Sequence, residues 1–147
     1  MTHTQPTGEA IVAAPVPSEF ALVPLAELRE HEEVVDDGTV KALAERLQRD
    51  GFIFQPIVAD RATRVVLDGH HRLNALRFLG MRLAPVNLVD YRDERIRVAS
   101  WRAGAAPPTK DEVVRRALEG RPFPPKSTRH DSLYDLPRRH VPLGDLR

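Results

Sequence analysis

The chain has no cysteine among its 147 residues. Without cysteine it cannot form disulfides, thiolate zinc sites or a cysteine nucleophile. It also lacks any apolar run close to the roughly 18 residues that span a bilayer, and its N-terminus lacks the basic-then-apolar pattern of a secretory signal. We therefore expect a cytoplasmic protein that does not contact a membrane.

The chain also lacks an excess of charge of either sign, with 22 Lys and Arg against 21 Asp and Glu. A balanced chain has no overall field that would draw it to DNA or to a membrane surface. Arg and His residues gather after Arg121, so a local basic tail is kept as an alternative. Thirteen prolines, most of them near the two ends, predict irregular margins around a compact middle.

Hydrophobic periodicity predicts one domain over residues 19–147, preceded by a flexible segment at 1–18. Strands are predicted at Phe20–Leu28 (a short strand that enters a turn, with Pro24 at an edge or a strand end), Phe54–Ala59, Arg64–Leu67, Ala84–Tyr91 and Ile96–Trp101. Asp60–Thr63 is expected to join the second and third of these as a hairpin. The result is an α+β domain with a small mixed sheet flanked by about three helices.

The three helices are predicted from their buried stripes and their end signals. The first has Asp36, Asp37 and Thr39 as candidate N-caps, a stripe of Val40, Leu43, Ala44 and Leu47, and an end at Gly51. The second carries Leu73, Leu76 and Leu79 and ends at Gly80. The third opens on the capping box Thr109–Glu112, runs through Leu118 and is closed by Gly120.

The stretch Val65–Gly80, VVLDGHHRLNALRFLG, carries the strongest functional signal. It predicts a strand, a tight turn and a helix, with Asp68, Gly69, His70, His71 and Arg72 at the junction. Free amides and partial positive charge at a helix N-terminus attract anions, and a glycine lets phosphate oxygens approach the backbone. Arg72 can add a guanidinium fork, and Asp68 can hold a metal ion. The alternative is that Asp68 only caps the helix and the basic run is solvated, but five such residues at one junction favour a nucleotide site.

Two further polar clusters lie far from this junction in the sequence. His31-Glu32-Glu33 precedes the first helix, where a carboxylate either serves catalysis or only complements the helix dipole. Lys126–His130, KSTRH, follows two prolines that stiffen the backbone. Its charges and hydroxyls suit a phosphate or carboxylate, and the alternative is a basic surface tail. Trp101, the single tryptophan, belongs either to the core or to a pocket wall.

Five segments, taken together, resemble the free-serine kinases of the ParB/sulfiredoxin-like superfamily. They are HEEVV, LDGHHRLNALRFLG, APVNLVDY, VASW and FPPKSTRH. The similarity runs from about Phe20 to the C-terminus, with the motifs in the family's order. It implies a kinase that phosphorylates free L-serine to O-phospho-L-serine, with ADP or ATP as donor and Mg²⁺. The chain lacks the large insert that the longer archaeal members carry between the Trp101 strand and the Thr109 helix.

The resemblance also implies roles for individual residues. Glu32 matches the general base and Asp68 an essential acid, which holds Mg²⁺ directly or indirectly. The nucleotide phosphates are expected at Gly69, His70, His71 and Arg72. The amino acid is expected at Trp101, Ser127, Thr128, Arg129 and His130, with Lys126 near the entrance on the nucleotide side.

Other readings remain open at this point. A sulfiredoxin would need a cysteine at the position of His70 or of its neighbour, and the chain has none. A chromosome-partitioning ParB would need a helix-turn-helix module, for which one predicted helix after Trp101 is too little. A nucleotide-binding regulator of the same fold without turnover is the main alternative, followed by a kinase for another small amino or hydroxy compound. A methyl difference in the acceptor is worth only ~1–3 kcal/mol of pocket shape. The choice of acceptor and donor and the oligomeric state therefore stay open.

Overall fold

A mixed sheet of four strands forms the centre of the computed structural model, which describes residues 15–35, 38–133 and 135–147. The strands of this part of the chain are β1 Glu19–Pro24, β2 Phe52–Ile53, β3 Ile57–Asp60, β4 Val66–Asp68, β5 Leu83–Val89, β6 Arg97–Ala99, β7 Arg129–Asp131 and β8 Val141–Pro142. The α-helices are α1 Thr39–Asp50, α2 His70–Phe78 and α3 Lys110–Leu118, with 3₁₀ turns at Leu25–Glu27 and Leu143–Leu146.

The central sheet has the order β1-β5-β3-β4. Strand β5 pairs antiparallel with β1 and parallel with β3, and β3 pairs antiparallel with β4. Strand β4 and helix α2 lie on the connection between the parallel strands, because parallel neighbours need a long crossover. Two small antiparallel sheets, β2-β8 and β6-β7, complete the fold. The predicted α+β class with a mixed sheet is confirmed.

Both faces of the central sheet are covered, which explains why its strands read as nearly continuous apolar runs. Along β3, Ile57 and Ala59 pack into one core cluster with α1 and α2, whereas Val58 packs into a second cluster. This second cluster includes Val113 of α3. The two clusters fix β4 and the start of α2 between them, at the place where the sequence predicts the functional junction.

The predicted helices are confirmed with small changes at their ends. Helix α1 begins at Thr39 with Gly38 as its N-cap, so Thr39 is the first helical residue and not the cap. The other two candidate caps, Asp36 and Asp37, lie outside the described residues. In α3 the predicted capping box is formed, since Thr109 and Glu112 bond each other's backbone N–H groups. Helix α2 ends at Phe78, two residues before Gly80.

The strand boundaries differ most near Pro56. The run expected to start at Phe54 starts instead at Ile57, and the Phe54 side chain is 52% exposed. A proline lacks the N–H that a central strand needs, so β3 begins just after Pro56. The two residues before Phe54 pair as β2 with the C-terminal β8. Strands β7 and β8 carry no alternating apolar pattern of their own, and the sequence therefore did not predict them.

The first fourteen residues of the predicted flexible segment 1–18 lie outside the described residues. Val16, in contrast, is buried in the second core cluster. In the part of the chain that the structure describes, no helix has the length and apolar character needed to cross a bilayer.

Candidate active site

A cavity of about 570 Å³, here called the central pocket, opens where β4 ends and α2 begins. Residues of four separate segments line it: Glu32, Glu33, Val34, Leu67, Asp68, Gly69, His70, His71, Arg72, Trp101, Lys126, Thr128, Arg129 and His130. A pocket of this size accepts a small ligand such as a nucleotide or an amino acid.

Gly69 shapes the floor of the pocket at the N-cap of α2. Its φ of 106° lies in the left-handed region, where a side chain is strained. A Cβ at this position would stand 2.9 Å from Nη2 of Arg72 and 3.1 Å from Cγ1 of Ile57. No side chain caps the first amides of α2, so Asp68 does not act as the helix cap that the simpler reading assumed. These amides therefore offer an anion site at the pocket floor.

Arg72 and Asp68 form an ion pair across the junction. Nη2 of Arg72 donates to Oδ2 of Asp68 at 3.0 Å, while Nη1 donates to the carbonyl of Gln55 at 3.2 Å. The Arg72 side chain is only 15% exposed, against 39% for Asp68. A guanidinium has five donors, so two fix its position and others remain for a ligand. The expected phosphate fork is thus held in place before any ligand binds.

The C-terminal segment reaches the pocket through two backbone pairings. Strand β7 pairs with β6, opposing Arg129 to Ala99 and His130 to Val98. Upstream, the N–H of Phe123 donates to the carbonyl of His31 at 2.6 Å, and the N–H of Glu33 donates to the carbonyl of Phe123 at 2.8 Å. The turn between these pairings, which contains Lys126, therefore lies beside residues 31–33.

The carboxylate of Glu32 is held by this turn. Oε1 accepts from the backbone N–H of Thr128 at 2.8 Å and from its hydroxyl at 2.7 Å. Oε2 accepts from the backbone N–H of Lys126 at 3.0 Å. Lys126 adopts a left-handed φ of 63°, which is uncommon for a residue with a side chain and is typical of constrained functional loops. Because a carboxylate has about four acceptor sites, one remains on Oε2.

Three imidazoles pack behind the carboxylates. The ring of His31 contacts the rings of His70 and His130 edge-on, with centroids 4.7 and 5.4 Å apart. Burial, together with a smaller effect of the neighbouring His70, lowers the pKa of His31 to about 3. Burial is also the main cause that lowers the pKa values of His70 and His130 to about 3. All three are therefore neutral at pH 7.

The ring nitrogens of this cluster have different partners. His31 contacts the carbonyl of Val66 through Nδ1 and the hydroxyl of Thr128 through Nε2, each at 2.8 Å. Nε2 of His130 lies 2.7 Å from the hydroxyl of Tyr91. Nε2 of His70 is buried and has no hydrogen-bond partner among the described residues.

The structure brings eleven of the twelve residues expected at the site to the central pocket. The exception is Ser127, whose hydroxyl donates to the carbonyl of Pro124 at 2.6 Å and which borders a neighbouring pocket. Trp101 stands at the rim, 56% exposed, with the guanidinium of Arg129 5.1 Å from its ring centroid. It is therefore a pocket wall and not a core residue.

Sequence reasoning missed the polar support behind the pocket. His31 was noted only as a neighbour of Glu32, and Tyr91 only as the end of a strand. His31 lies among acidic residues and Tyr91 ends an apolar run. Neither position signals a shared role, because these side chains come together only when β4, β5 and β7 are assembled.

The residues at the junction fit a magnesium ion only in combination with a bound phosphate. Among the described residues, no group of three or more His, Asp or Glu side chains is arranged so that it could hold a metal ion by itself. Magnesium commonly takes one or two carboxylates plus substrate phosphates and water. The partly exposed carboxylate of Asp68, beside the anion site of α2, meets that requirement.

No family model matches the chain. Among individual relatives, it is 33% identical over 87 residues to an ATP-dependent L-serine kinase of Staphylothermus marinus, covering 56% of this chain and 34% of that protein. It is 33% identical over 99 residues to a ParB-like protein of Sulfolobus acidocaldarius, covering 65% and 49%. It is 24% identical over 106 residues to the ADP-dependent L-serine kinase SerK of Thermococcus kodakarensis, covering 69% and 43%. The chain thus spans about a third to a half of the length of these relatives.

A solved structure of a free serine kinase in complex with AMP has the same fold. The two superpose with a TM-score of 0.78 at 17% identity, covering 91% of this chain and 95% of the other. The resemblance to free serine kinases seen in the sequence is confirmed by these similarities.

Proposed function

We propose that the protein is a nucleotide-dependent kinase that transfers a phosphoryl group from ADP or ATP to the hydroxyl of free L-serine, giving O-phospho-L-serine. One observation carries the proposal: a single pocket joins an anion site at the start of α2 to a carboxylate, Glu32, that comes from a distant segment. The similarity to ATP- and ADP-dependent L-serine kinases supports the same reaction.

The phosphate groups of the nucleotide would bind at the start of α2. Its uncapped amides and the fixed guanidinium of Arg72 offer donors and positive charge to the phosphate oxygens. His71 lines the pocket next to them. Phosphoryl transfer depends mainly on positioning and charge neutralisation, and this junction supplies both. A magnesium ion, held by Asp68 together with the phosphates, would neutralise further charge on the transferred group.

Glu32 would accept the proton of the serine hydroxyl. A hydroxyl is a poor nucleophile until a base removes its proton. The three hydrogen bonds to Glu32 fix its orientation, and the unused acceptor site lies on Oε2. The incoming hydroxyl would therefore approach Oε2, and its proton would pass to the carboxylate as the new bond to phosphorus forms.

The amino acid would lie between Trp101 and the 127–130 segment, as the resemblance implies. Arg129 supplies a cation for the serine carboxylate, and its stacking on the exposed Trp101 ring holds it at the rim. Lys126 lies at the entrance, where its ammonium can attract the nucleotide. Ser127 would contribute through the shape of its turn, because its hydroxyl is bonded to Pro124.

The test is phosphorus NMR of the purified protein with Mg²⁺, serine and either ATP or ADP, together with threonine and homoserine as competing acceptors. We expect a phosphoserine signal with at least one donor. Glu32→Gln keeps the shape of the side chain but removes its basic charge, so turnover should fall by ~10²–10⁴-fold with little change in nucleotide affinity.

The matched control is Glu33→Gln, since the two residues are adjacent and both line the pocket. Three hydrogen bonds from the 126–128 turn fix the Glu32 carboxylate in the pocket, so only Glu32 should be essential. Loss of activity in Glu33→Gln but not in Glu32→Gln would contradict the assignment to Glu32 and identify Glu33 as the base.

A second function is favoured by the three donors that already surround Glu32. In a regulator that binds nucleotide without turnover, these hydrogen bonds would serve to fix the 126–128 turn, and Glu32 would have no catalytic role. Nucleotide binding in calorimetry without phosphorylation of any acceptor would decide for this regulator and against the kinase.

A further inference from the structure

The hydroxyl of Thr128 lies between two hydrogen-bond acceptors. Oγ1 is 2.7 Å from Oε1 of Glu32 and 2.8 Å from Nε2 of His31. His31 is fully buried, so water does not reach Nε2 as a substitute donor. A threonine hydroxyl has one proton to donate. It can therefore satisfy only one of these two acceptors at a time.

The protonation of His31 follows from its other nitrogen. Nδ1 lies 2.8 Å from the carbonyl of Val66, which can only accept, so Nδ1 carries a proton. Because burial keeps the ring neutral, Nε2 has no proton and is an acceptor. When Thr128 donates to an ionised Glu32, Nε2 of His31 is left buried without a donor, an unfavourable state.

We propose that Thr128 and His31 are positioning residues for Glu32. When Glu32 takes a proton, the Thr128 hydroxyl turns from the Glu32 carboxylate to Nε2 of His31. This inference rests on the proposed kinase function. The substrate proton moves to Glu32, and the Thr128 proton stays on its own oxygen and only changes direction. A protonated carboxyl is a weaker acceptor than a carboxylate, so the hydroxyl is released as His31 gains a donor. Proton uptake by Glu32 is thereby favoured.

Thr128 thereby has a different role from the one that the resemblance implies. The resemblance places it among residues that hold the amino acid, but its hydroxyl and its backbone N–H are both engaged with Glu32. It thus acts on the substrate through Glu32 and not by direct contact.

The kinetic test compares Thr128→Val with Thr128→Ser. Valine keeps the shape but removes the hydroxyl, so kcat should fall about ten- to a hundredfold, the effect expected when a buried polar partner is lost, while the nucleotide Kd and serine KM change little. Serine restores the hydroxyl and should recover most of kcat. The matched control is Thr63→Val, which removes a hydroxyl that donates to a carboxylate at the same 2.7 Å, in the turn after β3. It should leave kcat unchanged.

The second measurement does not depend on activity. Nitrogen-15 NMR distinguishes protonated from unprotonated ring nitrogens, and His31→Asn identifies the His31 signals. We expect His31 at neutral pH with Nδ1 protonated and with Nε2 unprotonated and without a donor. The Nε2 signal should shift in Glu32→Gln, where a neutral amide replaces the carboxylate and releases the Thr128 hydroxyl to Nε2, but not in Thr63→Val. This measurement on the wild-type protein remains decisive if Thr128→Val does not fold.

The outcomes separate the two claims. A wild-type protein that shows the expected His31 signals but phosphorylates nothing overturns the kinase function, and with it the catalytic role of Thr128. An active kinase whose His31 carries its proton on Nε2, or whose Thr128→Val variant keeps full kcat, overturns this inference alone.

Discussion

Arg72 combines two tasks in one side chain, since it fixes Asp68 and also faces the site proposed for phosphate. Its guanidinium donates to Oδ2 of Asp68 at 3.0 Å and to the carbonyl of Gln55 at 3.2 Å. Both contacts depend on the fixed fork of the guanidinium, which a lysine ammonium cannot reproduce. The residue therefore organises the negative and the positive side of the junction together.

We expect Arg72→Ala to weaken ADP and ATP binding by at least tenfold, because a charge and a donor fork are lost. Arg72→Lys should restore only part of the affinity. Isothermal titration calorimetry with both nucleotides measures the effect. Arg77→Ala is the control, since Arg77 also lies on α2 but pairs with Glu30 at 3.0 Å. Equal affinities of wild type and Arg72→Ala would remove Arg72 from the nucleotide site.

At the scale of the element, the start of α2 works because Gly69 has no side chain. Two independent reasons require glycine at this position. The first is the left-handed backbone, and the second is that an added Cβ would lie 2.9 Å from Nη2 of Arg72. The first concerns stability, and the second concerns the position of the guanidinium. The two reasons can be separated, because Gly51 has a similar φ of 79° with no atom within 4 Å of an added Cβ.

Gly69→Ala and Gly51→Ala should therefore differ in function more than in stability. Each should lower the free energy of unfolding by about 1–2 kcal/mol, the cost of a left-handed L-residue. Only Gly69→Ala should also weaken nucleotide binding, because Arg72 must move. Urea titration gives the stabilities and calorimetry the affinities. If Gly51→Ala weakened nucleotide binding as much as Gly69→Ala, the effect would be one of stability alone.

At the scale of the whole molecule, neutral histidines are buried where three distant segments meet. His31 precedes α1 and His130 lies on β7, and their rings contact each other. In the unfolded chain such side chains take up protons near their ordinary pKa of 6.5, whereas burial lowers the folded values to about 3. Folding thus excludes protons from the centre of the site.

The protein should consequently lose stability in mild acid. The contribution of His31 and His130 to the free energy of unfolding is complete above pH 6.5. It is lost as the pH falls towards 3, because in that range only the unfolded chain binds protons at these side chains. Each histidine contributes at most about 1.4 kcal/mol per pH unit over that range. Urea unfolding at pH 7, 6 and 5 measures this slope, and His130→Phe should make it shallower. Unchanged stability between pH 7 and pH 5 would contradict buried neutral histidines.

The sequence by itself determined the elements whose signals are local. The stripe of Leu73 and Leu76, the Thr109 capping box and the glycine at the α2 junction each depend on neighbours within a few residues. It also contained the motifs that resemble serine kinases, and the structure brought eleven of the twelve site residues expected from them to one pocket.

Tertiary structure decided what depends on contacts between distant segments. Strand β7 forms because β6 offers it a partner, and the Glu32 carboxylate is fixed by backbone N–H groups 94 and 96 positions away. The tautomer of His31 follows from its burial against a carbonyl of β4, Val66. Hydrogen-bond partners and desolvation belong to the assembled fold, and no local pattern of residues records them.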